Sequence, residues 1–308
     1  ANRDVLLWAH ELETVAAINE SHTNPVYLPG VDLDPAIRAT ARLGELAARD
    51  ALLIVSPAQH LRGILVDLQP HVRSGQPLVL CCKGIEQRTG LLMSQVAADV
   101  LPDATMAVLS GPSFAAEVAR ELPVAVTLAT REEALGRDLS HALKSRAFRC
   151  YWSNDVLGAE IGGAVKNVYA IAAGIVVGKE LGNSAQAGLI TRSFAEMTRF
   201  GVAMGAALET LIGLSGLGDL VLTCGSEQSR NMSLGVALGR GAKTSDVLSE
   251  RSSVTEGVAT AQAMVEIAQA RGIELPIAEA VHAIVNGEMG VDTAIGALLS
   301  RPLRSETE

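Results

Sequence analysis

Lys166 lies within GAEIGGAVKNVYAIAAGI, Gly158 to Ile175, a helical run that is otherwise fit to be buried all round. Ala164, Val165, Val168, Ala170, Ile171, Ala172 and Ala173 surround it. A lysine is almost never fully buried unless a partner holds it or chemistry uses it. The plain alternative is a snorkelling side chain whose ammonium reaches water. A lysine held in a cleft can instead give a proton to an oxygen and take it back.

Other chemistry-bearing residues collect at turns. VSPAQ (Val55 to Gln59), CCKGIE with Lys83 and Gly84, and LSGPSFAAE each follow an apolar run. In the last, Gly111 and Pro112 make a turn and Ser113 is placed to N-cap the next helix. Singly, each is turn chemistry; together, at one edge of a sheet, they form the floor of a site. In GLSGLGDLVLTCGSEQSRN (213–231), Asp219 and Thr223 stand at i and i+4 and share a helix face. Arg230 and Asn231 follow in what reads as a polar loop. Taken alone they are solvated surface, but the pair offers charged and neutral donors suited to a phosphate.

The elements that would position these residues come in two grammars. Up to about residue 155, short apolar runs alternate with helical ones: strands at 4–9, 51–56, 77–84, 105–110, 124–130 and 148–153, with helices over 11–20, 58–68, 90–101 and 113–122. Apolar strands each followed by a helix indicate a parallel sheet covered on both faces, the doubly wound α/β pattern. From Asp155 onward long Ala/Gly/Leu-rich helical runs follow one another without strand signals. The expected organisation is a dinucleotide-binding domain over 1–155 and an all-helical substrate domain over 156–308.

Composition narrows the function classes. The 308 residues are 48% hydrophobic and 3% aromatic, so the core is aliphatic. The net charge of −9 argues against a nucleic-acid partner. No uninterrupted apolar run reaches the roughly 18 residues of a membrane span, and no basic-then-apolar signal pattern opens the chain. Stable membrane insertion is not expected. Cys81, Cys82, Cys150 and Cys224 lack metal-ligand spacing and read as reduced thiols of a cytoplasmic protein. No metal site is expected.

GGAVKNV, GLSGLGDLVLTC, SRN, CCKGIE and LSGPSFAAEVA, with LITRSFAEMTRFGVAMGA, TEGVATA and ELPIAEAV, follow one another in an order that resembles the bacterial NAD(P)-dependent sn-glycerol-3-phosphate dehydrogenases. The similarity runs over nearly the whole chain. It implies a Rossmann-like fold with a helical second domain. It also implies interconversion of dihydroxyacetone phosphate and sn-glycerol 3-phosphate, supplying phospholipid synthesis. By this resemblance Lys166 matches the catalytic lysine and Asn167 a substrate-site residue. Lys83 matches a second lysine touching substrate and cofactor, and Asp219 and Thr223 line the reacting carbon. Ser229, Arg230 and Asn231 match the phosphate pocket, Arg230 also meeting the cofactor. Gly111, Ser113 and Ala115 match a turn touching substrate and cofactor. Val254 and Glu256 match the nicotinamide end, and His10 the adenosine ribose or its 2′-phosphate. In such a site desolvation and Lys83 would lower the Lys166 pKa, and Asp219 would limit the fall. A homodimer is expected.

The sequence departs from that family at its start. The G-x-G-x-x-G fingerprint that should follow a first strand is absent, and ANRDVLLWAH resembles the end of a first helix running into a second strand. The expectation is about two dozen further N-terminal residues in the natural protein. The strands at 4–9 and 105–110 should then stand apart, with room for a strand between them. After the strand at 4–9 the order is Trp8, Ala9, His10, Glu11. His10 suits a 2′-phosphate and Glu11 could hold ribose hydroxyls; the balance favours NADP over NAD. Two other readings remain: a two-domain hydroxy-acid or keto-acid dehydrogenase, or a non-catalytic chain that binds a phosphate metabolite.

Overall fold

The computed structural model describes residues 3–249, 255–303 and 305. Its first part holds strands β1 (Leu6–Trp8), β2 (Thr23–Asn24), β3 (Leu28–Asp32), β4 (Arg38–Thr40), β5 (Leu52–Ile54), β6 (Pro77–Leu80), β7 (Thr105–Ser110), β8 (Val124–Ala129) and β9 (Phe148–Ser153). Between them run helices α1 (Leu12–Ser21), α2 (Leu61–Leu68), α3 (Met93–Val100), α4 (Ala115–Ala119) and α5 (Glu133–Leu143). The rest is helical: α6 (Val156–Gly178), α7 (Asn183–Met204), α8 (Leu208–Leu211), α9 (Asp219–Cys224), α10 (Arg230–Gly239), α11 (Thr244–Ser249), α12 (Glu256–Arg271), α13 (Pro276–Val285) and α14 (Val291–Leu299).

Strands β5-β6-β7-β8-β9 form one sheet in that spatial order. The pairs β5–β6, β6–β7 and β8–β9 are parallel, as the alternating pattern requires. The pair β7–β8 is antiparallel, which corrects the expectation of a wholly parallel sheet. The physical reason lies in the connection. Helix α4 has five residues, roughly 7.5 Å of rise, whereas β7 with six residues spans roughly 20 Å. A five-residue helix does not span the length of β7 as the crossover helix of a parallel connection does, and β8 runs back beside β7. Strand β1 pairs in parallel with β4, in a separate two-stranded ladder. Strands β1 and β7 are not paired, as expected, but β7 lies between β6 and β8. The place expected for a strand beside 105–110 is therefore filled, and the ladder ends at β5.

Helix α6 joins the two halves. Asp155 caps it, Oδ1 accepting from Gly158 N at 2.9 Å and Oδ2 from Ala207 N at 3.0 Å. Twenty-three residues give it about 35 Å of length. Ala159 packs into the core beneath the sheet, with Leu80, Val108 and Ala129. From Ile161 to Ile175 the helix belongs to the helical core, against Phe200, Leu220, Leu234 and Met264. By length and composition α6 could cross a membrane, but 89% of its most apolar window is buried inside the protein. It is a core helix, and it carries Lys166 from the sheet's edge into the helical half.

Candidate active site

Parallel β6 and β7 deliver Lys83 and Gly111 to the same sheet edge. Gly111 has φ of 151°, and a methyl group there would lie 2.9 Å from Val126 Cα, so the turn requires glycine. Its carbonyl accepts from Lys83 Nζ at 3.1 Å. Ser113 does not cap the following helix. That helix begins at Ala115 with Phe114 as its N-cap, and the Ser113 hydroxyl donates to Gly111 O at 3.1 Å. The turn's geometry takes the hydroxyl backward, away from the helix amides.

The segment after Lys83 is clamped from both sides. Glu86 accepts from Arg62 Nε at 2.9 Å and Nη2 at 3.0 Å, and from Thr89 Oγ1 at 2.5 Å. Gln87 donates to Gln262 on α12 at 3.0 Å. Where Lys83 crosses α6 the backbone must be bare. A methyl group on Gly163 would lie 2.6 Å from Ser110 Oγ and 3.4 Å from Lys83 Cγ.

Lys166 is 7% exposed and does not snorkel. Its Nζ donates to Asp219 Oδ1 at 2.5 Å and to Thr223 Oγ1 at 2.9 Å. Lys83 Nζ donates to the other oxygen, Asp219 Oδ2, at 2.7 Å. Asp219 and Thr223 do share one face of α9, and Asp219 is 1% exposed. One buried carboxylate thus bridges two ammonium groups. Desolvation lowers the Lys166 pKa from its usual 10.5 to about 8; the charge of Lys83 adds to the fall and Asp219 opposes it.

Arg230 and Asn231 are not in a loop. They open α10, capped by Ser229, whose Oγ accepts from Met232 N at 3.3 Å. Asn231 is buried and donates to Asn167 Oδ1 at 3.0 Å, while its own Oδ1 accepts from Gly257 N at 2.9 Å. These bonds set the start of α10 beside the residue that follows Lys166. Glycines allow it. Methyl groups at Gly174 and Gly178 of α6 would lie 2.1 Å from Met232 O and 2.3 Å from Val236 O. At Gly235 of α10 a methyl group would lie 2.0 Å from Ile171 O. The two backbones touch along this face.

Glu256 begins α12, and its Oε1 accepts from Ala58 N at 2.9 Å across the boundary between sheet and helices. Burial pushes its carboxyl above the usual range, against the Ala58 N–H and the charges of Arg230 and His60. Its Oε2 and the hydroxyls of Thr255 and Thr260 are buried without a partner among the described residues. Thr260 was not singled out from sequence, although it stands one helical turn after Glu256. Glu256 Oε2 and Thr260 Oγ1 both face Gly84, 3.3 and 3.7 Å from where its methyl group would be. A carboxamide, with two N–H donors and one acceptor, matches this orphan set, so the residues fit the nicotinamide end of a dinucleotide. Val254 lies outside the described residues. His10 is exposed on the bend after β1, its ring edge-on to Trp8 at 6.3 Å, and is not part of the lysine cluster.

A Rossmann-like sheet whose edge brings Lys83 to Asp219 and Lys166 of the helical half has the build of a nucleotide-dependent dehydrogenase. Comparison with known proteins narrows the class. Residues 1–136 match the NAD-dependent glycerol-3-phosphate dehydrogenase N-terminus and residues 155–296 the corresponding C-terminus. The chain therefore belongs to the NAD-dependent glycerol-3-phosphate dehydrogenase family. It is 59% identical over 307 residues to glycerol-3-phosphate dehydrogenase [NAD(P)+] of Parvibaculum lavamentivorans, covering 100% of this chain and 92% of the relative. To the enzyme of that name from Caulobacter vibrioides it is 58% identical over 302 residues, 98% and 91% of the two chains. The crystal structure of glycerol-3-phosphate dehydrogenase from Coxiella burnetii superposes with a TM-score of 0.92 at 36% identity, over 97% of this chain and 92% of that one.

Proposed function

We propose that the protein interconverts dihydroxyacetone phosphate and sn-glycerol 3-phosphate with NAD(P)H, the product supplying phospholipid synthesis. The observation that carries the reading is the Lys166–Asp219–Lys83 cluster at the sheet edge. Reduction of a ketone needs a hydride at carbon and a proton at oxygen. When bound at the Glu256 end of the cleft, the nicotinamide supplies the hydride. Lys166 Nζ holds the proton for the carbonyl oxygen and takes it back in the reverse direction. A pKa of about 8 leaves it largely protonated at neutral pH, yet a better donor than an ordinary lysine. Asp219 and Thr223 orient the ammonium, and Lys83 adds positive charge where the alkoxide develops. Ser229, Arg230 and Asn231 hold the phosphate, and that remote binding positions the carbonyl. Gly111, Ser113, Asn167 and Ala115 complete the substrate and cofactor contacts.

NADP is the preferred cofactor. Glu11, the competing ribose ligand, accepts from the Tyr27 hydroxyl at 2.9 Å, which leaves His10 to meet a 2′-phosphate. The reading includes a cytoplasmic homodimer; the exposed Val202, Leu208 and Ile212 of the helical half support an apolar subunit contact. The decisive experiment compares turnover of dihydroxyacetone phosphate with that of small keto acids, following NADPH absorbance. Selective turnover of the phosphate is expected; preference for a keto acid would move the chain to the hydroxy-acid dehydrogenases.

A further inference from the structure

Helix α3 has no cap acceptor of its own. Its N-cap residue is Leu92, whose side chain carries no oxygen, and Leu92 N is itself held by Gln95 Oε1 at 2.9 Å. The acceptor comes from α6, 66 residues away. Glu160 Oε1 accepts from Ser94 N at 2.7 Å and Oε2 from Ser94 Oγ at 2.5 Å. Glu160 is buried, and no cation is paired with it among the described residues. An unpaired buried carboxylate is expensive, so its place matters. Helix α3 is reached from β6 through the segment that carries Lys83. Glu160 stands six residues, roughly 9 Å, before Lys166 on the same helix.

We propose that Glu160 is a positioning residue for the reaction: its carboxylate clamps α3 to α6 and so sets the span between Lys83 and Lys166 across Asp219. The inference rests on the function proposed above. The negative charge suits the amino end of α3, where free N–H groups point outward. The groups around it leave that charge uncompensated. Cys82, at the end of β6, has its thiol raised by burial and by neighbouring charges including Glu160, and stays neutral. Asp99 on α3 is turned to Arg62, and Asp155 is occupied capping α6. From β7, Val108 and Ser110, which approach this stretch of α6, are uncharged. Lys166 is held at Asp219, farther along the helix. Burial pushes the Glu160 carboxyl up to about 7, against its two Ser94 bonds. A proton gained on mild acidification replaces an acceptor by a donor and slackens the clamp.

The test is the pH profile of dihydroxyacetone phosphate reduction in wild type, Glu160→Gln and Ser94→Ala. Wild-type kcat should fall as pH drops through about 7. Glu160→Gln should lose that acid limb and run roughly tenfold slower above it, with KM for the ketone within about twofold, since a misplacement of about 1 Å is enough. Ser94→Ala removes a bond that favours the charged carboxylate, so the limb should move to higher pH. An acid limb that persists in Glu160→Gln, or stays in place in Ser94→Ala, overturns the inference. Should Glu160→Gln fail to fold, the Ser94→Ala limb decides. Wild type without turnover of the ketone would remove the proposed reaction, and this role with it.

Discussion

Replacing Lys166 by methionine separates chemistry from folding more cleanly than any other change in the site. The substitution keeps the unbranched stem of the side chain, one atom shorter, and removes the ammonium. Asp219 is not orphaned by it, because Lys83 still donates to Oδ2 at 2.7 Å. Turnover should fall by roughly 10²–10⁴-fold, the usual worth of a general acid. Stability should move the other way. The Lys166 pKa lies at about 8 in the fold against 10.5 for the ordinary side chain. At about 1.4 kcal/mol per tenfold, holding the charged form in the core costs about 3 kcal/mol. The sign follows from proton counts. Below about pH 8 lysine is protonated in both states and the whole cost applies. Between about 8 and 10.5 the unfolded chain binds more protons, so wild-type stability rises with pH through that window. The methionine variant lacks this rise and should melt at or above the wild-type temperature near neutral pH. Thermal melts across that range and steady-state rates at pH 7 read the two effects. Rates near wild type would refute the proton-transfer role. A variant that melts well below wild type, with the wild-type pH slope retained, would refute the charge-burial argument.

Arg230→Ala should raise KM for dihydroxyacetone phosphate by roughly 10–100-fold, the worth of a charged hydrogen bond, with a much smaller effect on KM for NADPH; equal damage with unphosphorylated dihydroxyacetone would show that Arg230 does not hold the phosphate. His10→Asp should shift the ratio of kcat/KM values from NADPH toward NADH, because a carboxylate repels a 2′-phosphate and accepts from ribose hydroxyls; an unchanged ratio would place the discriminating residue elsewhere. Gly235→Ala puts a methyl group 2.0 Å from Ile171 O and should force α10 off α6. A loss of about 1–3 kcal/mol or more is expected in chemical denaturation, and a variant as stable as wild type would show that the helices are not in backbone contact.

Much of the site was legible because its signals are local. A lysine inside an aliphatic helix, and Asp219 with Thr223 one turn apart, follow from the period of a helix alone. The strands β1 and β5 to β9 and the helices α1 to α4 follow from alternating apolar runs, and so does the sheet edge that collects Lys83 and Gly111, whereas the short β2, β3 and β4 and the polar-faced α5 were not read. The polar reading of Arg230 and Asn231 failed locally for a physical reason. A serine followed by polar residues marks a loop or a helix start equally well, and here Ser229 is the cap of α10.

What the sequence by itself determined about this protein is therefore the kind of elements, the residues with chemical means, and the family they resemble. What only the tertiary structure decided is which of those residues meet. Lys83 and Asp219 are 136 positions apart, and Ala58 and Glu256 are 198 apart. The direction of β8 beside β7 and the absence of a snorkelling path for Lys166 were settled by how the sheet and α6 pack. Glu160 has no sequence signal at all as the cap of α3, since the deficit lies at Leu92 and the remedy on a different helix. Propensity and periodicity act over a few residues, whereas pairing of buried charges and donors is settled by close packing of distant segments, where an unmet group is costly.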